Sequence, residues 1–381
     1  MKRAHALRRS ILCLALGLAA IDSGVAAEAL SNGSVVAGAI SVSGELDSFT
    51  FSVSAGENIM LRVADLSASN AFFPSITLYN PTGGFVLAGS GQNVGRLDVL
   101  AGATGTYTVV VADGSTLHTA VGNYNLHFIR APGANADGAL HNGGVDPGVV
   151  ELGDIDSYSF SANAGEAIYL RVADLTGTNA FFPLVTLFNP SGGYVTAGSG
   201  ANVGRIEVVA GATGTYMVVV SDGSTNGEAT GSYNLYLARV PGADEGGRLY
   251  DGPTRFDSID LGDLDSYTFT ANAGQNVQVV VTDTSGGALF PSVSLYGPTG
   301  NLITFSSNPT VATLTRTIPT TGVYTLVLED VTTNGDATGT YSIRLTGAGG
   351  APPVNGLAPS ALVGLTALLG ALAIRQQRQG G

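Results

Sequence analysis

One block of sequence recurs at a fixed distance, and that distance decides what the chain can fold into. GELDSFTF begins at Gly44, GDIDSYSF at Gly153 and GDLDSYTF at Gly262, two steps of 109 residues. The same step carries the Ala-Gly-Glu at Ala55 to Ala164 and, as Ala-Gly-Gln, to Ala273, and it carries Asp65 to Asp174 and Asp283. NAFFPSITLYNPTGG from Asn70 returns as NAFFPLVTLFNPSGG from Asn179 and, more loosely, as GALFPSVSLYGPTG from Gly287. TGTY at Thr104 and Thr213 becomes TGVY at Thr321, and GNYNL, GSYNL and GTYSI close the units. Residues 44–133 and 153–242 are identical at 58 of 90 positions, whereas the third copy is visibly more divergent. A period this long exceeds a solenoid unit and has the size of an independent domain, so three such domains stand in tandem.

Inside a unit the apolar residues alternate with a period of two. In the first copy Phe49, Phe51 and Val53 stand between polar or small residues, as do Ile59, Leu61 and Val63. Ile76 and Leu78, then Tyr107, Val109 and Val111, then Tyr124, Leu126 and Phe128 continue the pattern. Such alternation reads as half-buried strands. Turn signals separate them: Ala-Gly-Glu at 55–57, Asn-Pro-Thr-Gly-Gly at 80–84, Thr-Gly at 104–105 and Asp-Gly at 113–114. Seven or eight short strands per unit, with no helical pattern, predict an all-β chain of three antiparallel β-sandwiches at 28–133, 134–243 and 244–347. The Arg-Ala-Pro-Gly at Arg130 and the Arg-Val-Pro-Gly at Arg239 are the joints. They are short, which predicts close neighbours with limited swivel and proteolytic cuts near 131–137 and 241–247.

The ordered set of blocks resembles the bacterial pre-peptidase C-terminal domain. That set runs G-[DE]-x-D-S-[FY]-x-F, A-G-[EQ], F-P-x-[IV]-x-L-[YF]-x-P-x-G, T-G-x-Y and G-x-Y-x-[LI], and it covers nearly all of residues 28–347 three times. The resemblance implies jelly-roll-like sandwiches of the kind appended to secreted enzymes, some of whose relatives bind collagen or other polymers, some with calcium. The departure is that no protease or other catalytic domain accompanies the repeats.

The two ends set the expected compartment. Residues 1–27 open with Lys2, Arg3, Arg8 and Arg9, run through the apolar stretch 11–21 and close on Val25, Ala26 and Ala27. That is the layout of a secretory signal peptide cut after Ala27. The only cysteine, Cys13, falls within it, so the mature chain has no thiol for disulfides, metal or nucleophilic attack. At the other end a Gly/Pro linker over 348–356 leads to 357–374, 18 residues without charge, followed by Arg375 and Arg378. Such a segment is long enough to span a bilayer, with its basic end in the cytoplasm. Linker, Pro359, apolar segment and basic end together resemble the exosortase (PEP-CTERM) sorting tails of Gram-negative surface proteins. The resemblance implies processing near Pro359, although Ala358-Pro359-Ser360 departs from the usual Pro-Glu-Pro triplet. The expectation for 357–381 is a transmembrane helix acting as a sorting or anchor segment, and the protein is expected to be exported, either to the cell surface or outer membrane or into the extracellular medium, with membrane anchoring before any sorting.

Charge excludes one class of partner. Setting aside the leader and the two tail arginines leaves ten arginines, no lysine and 28 acids, a balance of −18. Binding to phosphate backbones needs clustered positive charge, so nucleic acid is excluded. Catalysis finds no support either. The histidines after His5 of the leader are His118, His127 and His141, and one period on from the first two stand Gly227 and Tyr236. No triad or zinc spacing is shared by the repeats. The paired carboxylates Asp154/Asp156 and Asp263/Asp265 open a strand, where turn chemistry explains them.

Calcium is the one cofactor with candidate ligands. The leads into the second and third repeats carry Asp137, Asp146 and Glu151, then Asp244, Glu245, Asp251, Asp257 and Asp260. Asp146, Glu151, Asp251 and Asp257 are the ligand candidates, with a solvated acidic linker as the plain alternative. Arg62/Arg171, Arg96/Arg205 and Arg130/Arg239 recur as pairs, either as one patch displayed twice or as structural ties. Of Phe72-Phe73 and Phe181-Phe182 one ring each belongs to a core, leaving the other as an exposed contact for a polymer. Repetition without catalytic residues implies an adhesive or polymer-binding array, because tandem copies raise the effective concentration at a repetitive ligand. Its partner class is an extracellular polysaccharide or a matrix protein, with the membrane engaged through the tail. A ligand-free stalk and an accessory subunit of a secreted hydrolase are the alternatives.

Overall fold

A computed structural model describes residues 27–67, 72–177 and 181–349. The expected leader up to residue 26, the helix expected over 357–374 and the expected processing position Pro359 lie outside them. Among the described residues no helix is long and apolar enough to cross a membrane.

The first repeat consists of β1 (Glu28–Ala29), β2 (Ser34–Ile40), β3 (Leu46–Val53), β4 (Asn58–Asp65), β5 (Pro74–Tyr79), β6 (Phe85–Ser90), β7 (Val94–Leu100), β8 (Gly105–Asp113) and β9 (Gly122–Ala131). The second repeats it as β10 (Gly138–Ala139), β11 (Gly144–Val150), β12 (Ile155–Ala162), β13 (Ala167–Asp174), β14 (Pro183–Phe188), β15 (Tyr194–Ser199), β16 (Val203–Val209), β17 (Gly214–Asp222) and β18 (Gly231–Val240). The third follows as β19 (Gly247–Arg248), β20 (Thr254–Ile259), β21 (Asp265–Ala271), β22 (Asn276–Asp283), β23 (Pro291–Tyr296), β24 (Leu302–Ser307), β25 (Val311–Thr317), β26 (Gly322–Asp330) and β27 (Gly339–Thr346).

Each repeat is a sandwich of a five-stranded and a four-stranded sheet. In the first the orders are β1-β3-β8-β5-β6 and β2-β9-β4-β7, and both later repeats reproduce them strand for strand. The pairing is antiparallel except for β1, β10 and β19, two-residue strands lying parallel to β3, β12 and β21. Two residues cannot display an alternation, which is why the repeat has nine strands instead of the seven or eight expected. Inward residues of both sheets fill one core per repeat, around Phe51, Phe72, Tyr107 and Phe128 in the first. Phe160, Phe181 and Tyr216 occupy the second core, and Phe269, Leu289 and Tyr324 the third.

The recurring motifs are turn locks. In T-G-x-Y the tyrosine is buried and its hydroxyl turns back on the chain. Tyr107 Oη donates to Ala103 O at 3.1 Å, Tyr216 Oη to Ala212 O at 2.8 Å, and Tyr324 Oη to Thr320 O at 2.5 Å. The glycine of this motif lies under the proline of the N-P-x-G-G turn. A Cβ on Gly105 would sit 2.7 Å from Pro81 Cγ, and one on Gly322 2.4 Å from Pro298 Cγ. Asp65, Asp174 and Asp283 each accept from the backbone N–H two residues on, at 2.7 Å. These are Asx turns that end a strand.

Candidate functional sites at the junctions between repeats

The repeats are not beads on a string. The outer face of the four-stranded sheet of one repeat packs on the outer face of the five-stranded sheet of the next. At the first junction Met60, Ile129, Ala131 and Ala134 meet Ile155, Phe188, Met217 and Val219 in one buried cluster. At the second Tyr169, Ala238, Val240 and Ala243 meet Leu264, Tyr296 and Val327. The joint residues Ala131, Ala134, Val240 and Ala243 are buried, in keeping with the close neighbours and limited swivel expected but against ready proteolytic cutting at 131–137 and 241–247.

Polar ties recur at equivalent positions. Asn93 Nδ2 donates to Glu228 at 3.0 Å across the first junction, and Asn202 Nδ2 to Asp336 at 2.8 Å across the second. The chemistry beside them differs. His127 Nδ1 lies 3.1 Å from Asp154 at the first junction, a contact that is ionic only when the ring is protonated, and neither ring nitrogen has an aligned hydrogen-bond partner. Burial raises the Asp154 carboxyl, but the imidazole beside it and hydrogen bonds from the backbone together outweigh that effect and hold it below the ordinary carboxylate range. At the second junction Arg171 reaches Glu207 and Glu329, each at 2.5 Å, and the hydroxyls of Tyr169 and Tyr296 hydrogen-bond to each other.

Five of the six paired arginines, Arg62, Arg130, Arg171, Arg205 and Arg239, act as ties. Arg62 makes a two-pronged contact with Asp98 at 2.8 and 3.0 Å. Arg130 pairs with Glu57 at 2.8 Å and Arg239 with Glu166 at 2.7 Å. Arg205 reaches Thr333 O at 3.4 Å in the next repeat. The third repeat holds Val280 in place of Arg62 and Arg171, and among the described residues no further repeat packs on that face.

Two open grooves follow the junctions. The first, of about 340 Å³, is lined by Met60, Arg62, Asp98, Leu100, Phe188 and Tyr194. The second, of about 810 Å³, is lined at the matching positions by Tyr169, Glu207, Val209, Tyr296, Leu302 and by Phe305. Leu100, Tyr194, Val209, Leu302 and Phe305 are exposed large apolar side chains. They give each groove an apolar wall above a charged floor.

The aromatic contact expected beside Phe72 and Phe181 is not there. Those two rings are fully buried, and Phe73 and Phe182 are half-buried. Among the described residues the exposed rings are Phe85 and Tyr194, the first residues after the N-P-x-G-G turn, together with Phe305 and, on the first long strand of the third repeat, Phe256. Their signal in the sequence was the apolar pair Phe85-Val86 and Tyr194-Val195, where only the valine is needed by the core.

The acids sort differently from expectation. Asp47, Asp156 and Asp265 accept the hydroxyls of Tyr124, Tyr233 and Tyr341, so they tie side chains of the two sheets together and do not only cap a turn. Asp154 and Asp263 do cap, each accepting the next residue's N–H at 2.8 Å. Among the described residues none of the calcium candidates Asp146, Glu151, Asp251 and Asp257 belongs to a cluster of three or more ligand groups. Asp251 accepts the N–H groups of Gly347 and Gly349 at 3.0 Å, and Asp257 accepts from Tyr267 at 3.0 Å. Asp146 faces His141 at 3.7 Å, and the Glu151 carbonyl closes the turn to Asp154.

Among the described residues the carboxylates that do converge are Glu245, Asp263 and Asp265, their oxygens within 4.8 Å of one another. Burial pushes Asp265 up to about 8 and Asp263 to about 6, and neighbouring acids add to both shifts. Glu245, at the mouth and the best hydrated, is held at about 7 by partial burial and by Asp263. The donor set is oxygen-only and uncompensated, which fits a hard divalent cation such as calcium, and these three would hold it.

No family model matches the chain, and no curated protein matches it. Solved structures do. The pre-peptidase C-terminal domain of a Bacillus anthracis collagenase is 18% identical over 27% of this chain and 94% of its own, with a TM-score of 0.23. The M60 catalytic domain with two CBM51 domains of Clostridium perfringens ZmpB is 12% identical over 77% of this chain, with a TM-score of 0.18. This chain covers 32% of that one. Tripeptidyl peptidase 2 is 9% identical over 80% of this chain and 34% of its own, with a TM-score of 0.20.

Proposed function

We propose that the chain is an exported, non-catalytic array of pre-peptidase-C-terminal-like modules that binds an extended extracellular polymer, a polysaccharide or a fibrous matrix protein, along its inter-repeat grooves. The observation that carries the reading is duplication. The same cleft, with an exposed apolar wall and a charged floor, forms twice from equivalent positions. A repetitive ligand engaging both clefts gains avidity from their fixed spacing. Aromatic walls suit the faces of sugar rings and the apolar stretches of a fibrous peptide alike.

The test is retention of the protein on immobilised exopolysaccharides and on collagen. Tyr194→Ala and Phe305→Ala are each expected to weaken retention about tenfold, in line with the loss of one well-packed aromatic contact. Retention that is unchanged in the double variant would remove the grooves from the binding surface. A spacer without ligand is the second reading, favoured by the buried, ion-paired junctions that hold neighbouring repeats in one orientation. Failure to be retained on any polymer of the panel would leave that reading.

A further inference from the structure

The two ends of the array are complementary to each other. Repeat one keeps, on its five-stranded sheet, the docking positions that repeats two and three bury against their predecessors. Leu46 corresponds to Ile155 and Leu264, Tyr79 to Phe188 and Tyr296, and Val110 to Val219 and Val327. Ile155 is 6% exposed and Leu264 3%, whereas Leu46 is 61% exposed. At the far end Val311 of repeat three corresponds to Val94 and Val203, both 3% exposed under the next repeat, and is itself 41% exposed.

The residues that would meet across the two ends match in pairs. The position of His127 and Tyr236 is Arg344 in repeat three, and the position of Asp154 and Asp263 is Glu45 in repeat one. A head-to-tail contact therefore replaces the pair His127–Asp154 with an arginine facing a glutamate. Arg344 forms no ion pair among the described residues and hydrogen-bonds only to Gly252 O, at 2.9 Å. The position of Arg171 is Val280, and the position of its partner Glu329 is Ala112, so the charged pair of the second junction is replaced at the two ends by apolar meeting apolar. Asn276 stands where Asn58 donates to Gly192 O at 2.7 Å, and Gly83 stands where that carbonyl lies.

We propose that repeat three of one copy stacks on repeat one of a second copy by the operation that relates successive repeats within the chain. The occupant of both terminal faces is this chain itself. Such an interface uses two different patches and is heterologous, so growth continues past the dimer. It does not depend on the groove-binding reading, because neither Glu45 nor Arg344 lines a groove.

The test is the mass of the full chain against concentration, by sedimentation, with the apolar segment 357–374 held in detergent. The wild type is expected to grow beyond a dimer. Arg344→Glu and Glu45→Arg are each expected to weaken association at least about tenfold, the size of a like-charge clash at an interface. The double variant Glu45→Arg/Arg344→Glu is expected to restore it. Arg344 is exposed, whereas Glu45 is half-buried and accepts the N–H groups of Ser41 and Val42, so unchanged melting of each variant is the control that reports an intact fold. A wild type that stays monomeric up to about 1 mM, a contact worth no more than about 4 kcal/mol, overturns the proposal. So does growth indifferent to Arg344→Glu, or a double variant that fails to recover. A dimer abolished by Leu46→Asp and untouched by Arg344→Glu overturns it in favour of a two-fold contact between first repeats.

Discussion

The two junctions use one geometry and two chemistries. The first is mostly greasy, with Met60, Phe188 and Met217 in contact and His127 beside Asp154 at its edge. The second replaces methionine and phenylalanine with Tyr169 and Tyr296, and sets Arg171 between Glu207 and Glu329. A shared backbone arrangement thus does not require shared side-chain energetics. What is kept is shape and the flanking asparagine ties. What varies is whether the pairing is apolar or ionic.

The largest expected difference is in the cost of removing the arginine. Arg171→Met leaves Glu329, whose side chain is 10% exposed, without a cation and facing Glu207. A buried charge stripped of its partner costs about 3 kcal/mol. Arg62→Met leaves Asp98, which is 56% exposed and is rehydrated, so less than about 1 kcal/mol is lost. Urea unfolding of the two variants measures this directly. Equal losses would mean the junctions are energetically the same after all.

Next in size is a pH effect seated in the third repeat. Folding raises Asp265 to about 8 and Asp263 to about 6 from an ordinary 3.8, so the folded form keeps protons that the unfolded chain has released. Stability is then complete below about pH 4 for these groups and falls as pH rises towards 8. The melting temperature of the third repeat is expected to drop by at least about 5 °C between pH 5 and pH 8.5, the scale of one kcal/mol in a domain this size. Calcium at pH 8.5 should recover the loss by binding only the folded form, and Asp265→Asn should remove both effects. The second repeat, where burial raises Asp156 to about 7 but His127 holds Asp154 down, should respond less. Identical melting in calcium and in chelator would eliminate the cation site.

The smallest expected effect comes from importing the second chemistry into the first junction. Ser221 stands where Glu329 meets Arg171, and it lines the first groove with Arg62. Ser221→Glu is expected to gain no more than about 0.5 kcal/mol, because Arg62 already holds Asp98. Loss of stability there would show that the greasy junction excludes charge.

The sandwich was legible because its signals are local. Alternation of two, N-P-x-G-G and T-G-x-Y each act within a few residues, and the period of 109 counts the domains. The junctions were not legible for the converse reason. Met60 and Phe188 sit at outward positions of strands, where a lone apolar residue is common and says nothing about a neighbour 128 residues away. Arg171 reads as surface until Glu329 is brought to it. The acidic pocket was half-visible. The acidic lead pointed to the right segment and included Glu245. Its partners Asp263 and Asp265 looked like a turn, because the strand pairing that brings lead and motif together leaves no mark in either.

The order of strands also decides how the array answers a pull along its length. In every repeat the first long strand lies antiparallel beside the last, β2 on β9, β11 on β18 and β20 on β27. Ser34 is opposite Phe128 and Ile40 opposite Gly122, so the chain arrives and departs at the same corner. Tension between those points opens the ladder one rung at a time, as a zipper, once the two rungs of the short parallel strand have given way. A parallel pair would shear, resisting with all its rungs together. Under load each module is therefore built to yield early and pay out chain while its neighbours stay closed, so the array lengthens in steps instead of giving way at once.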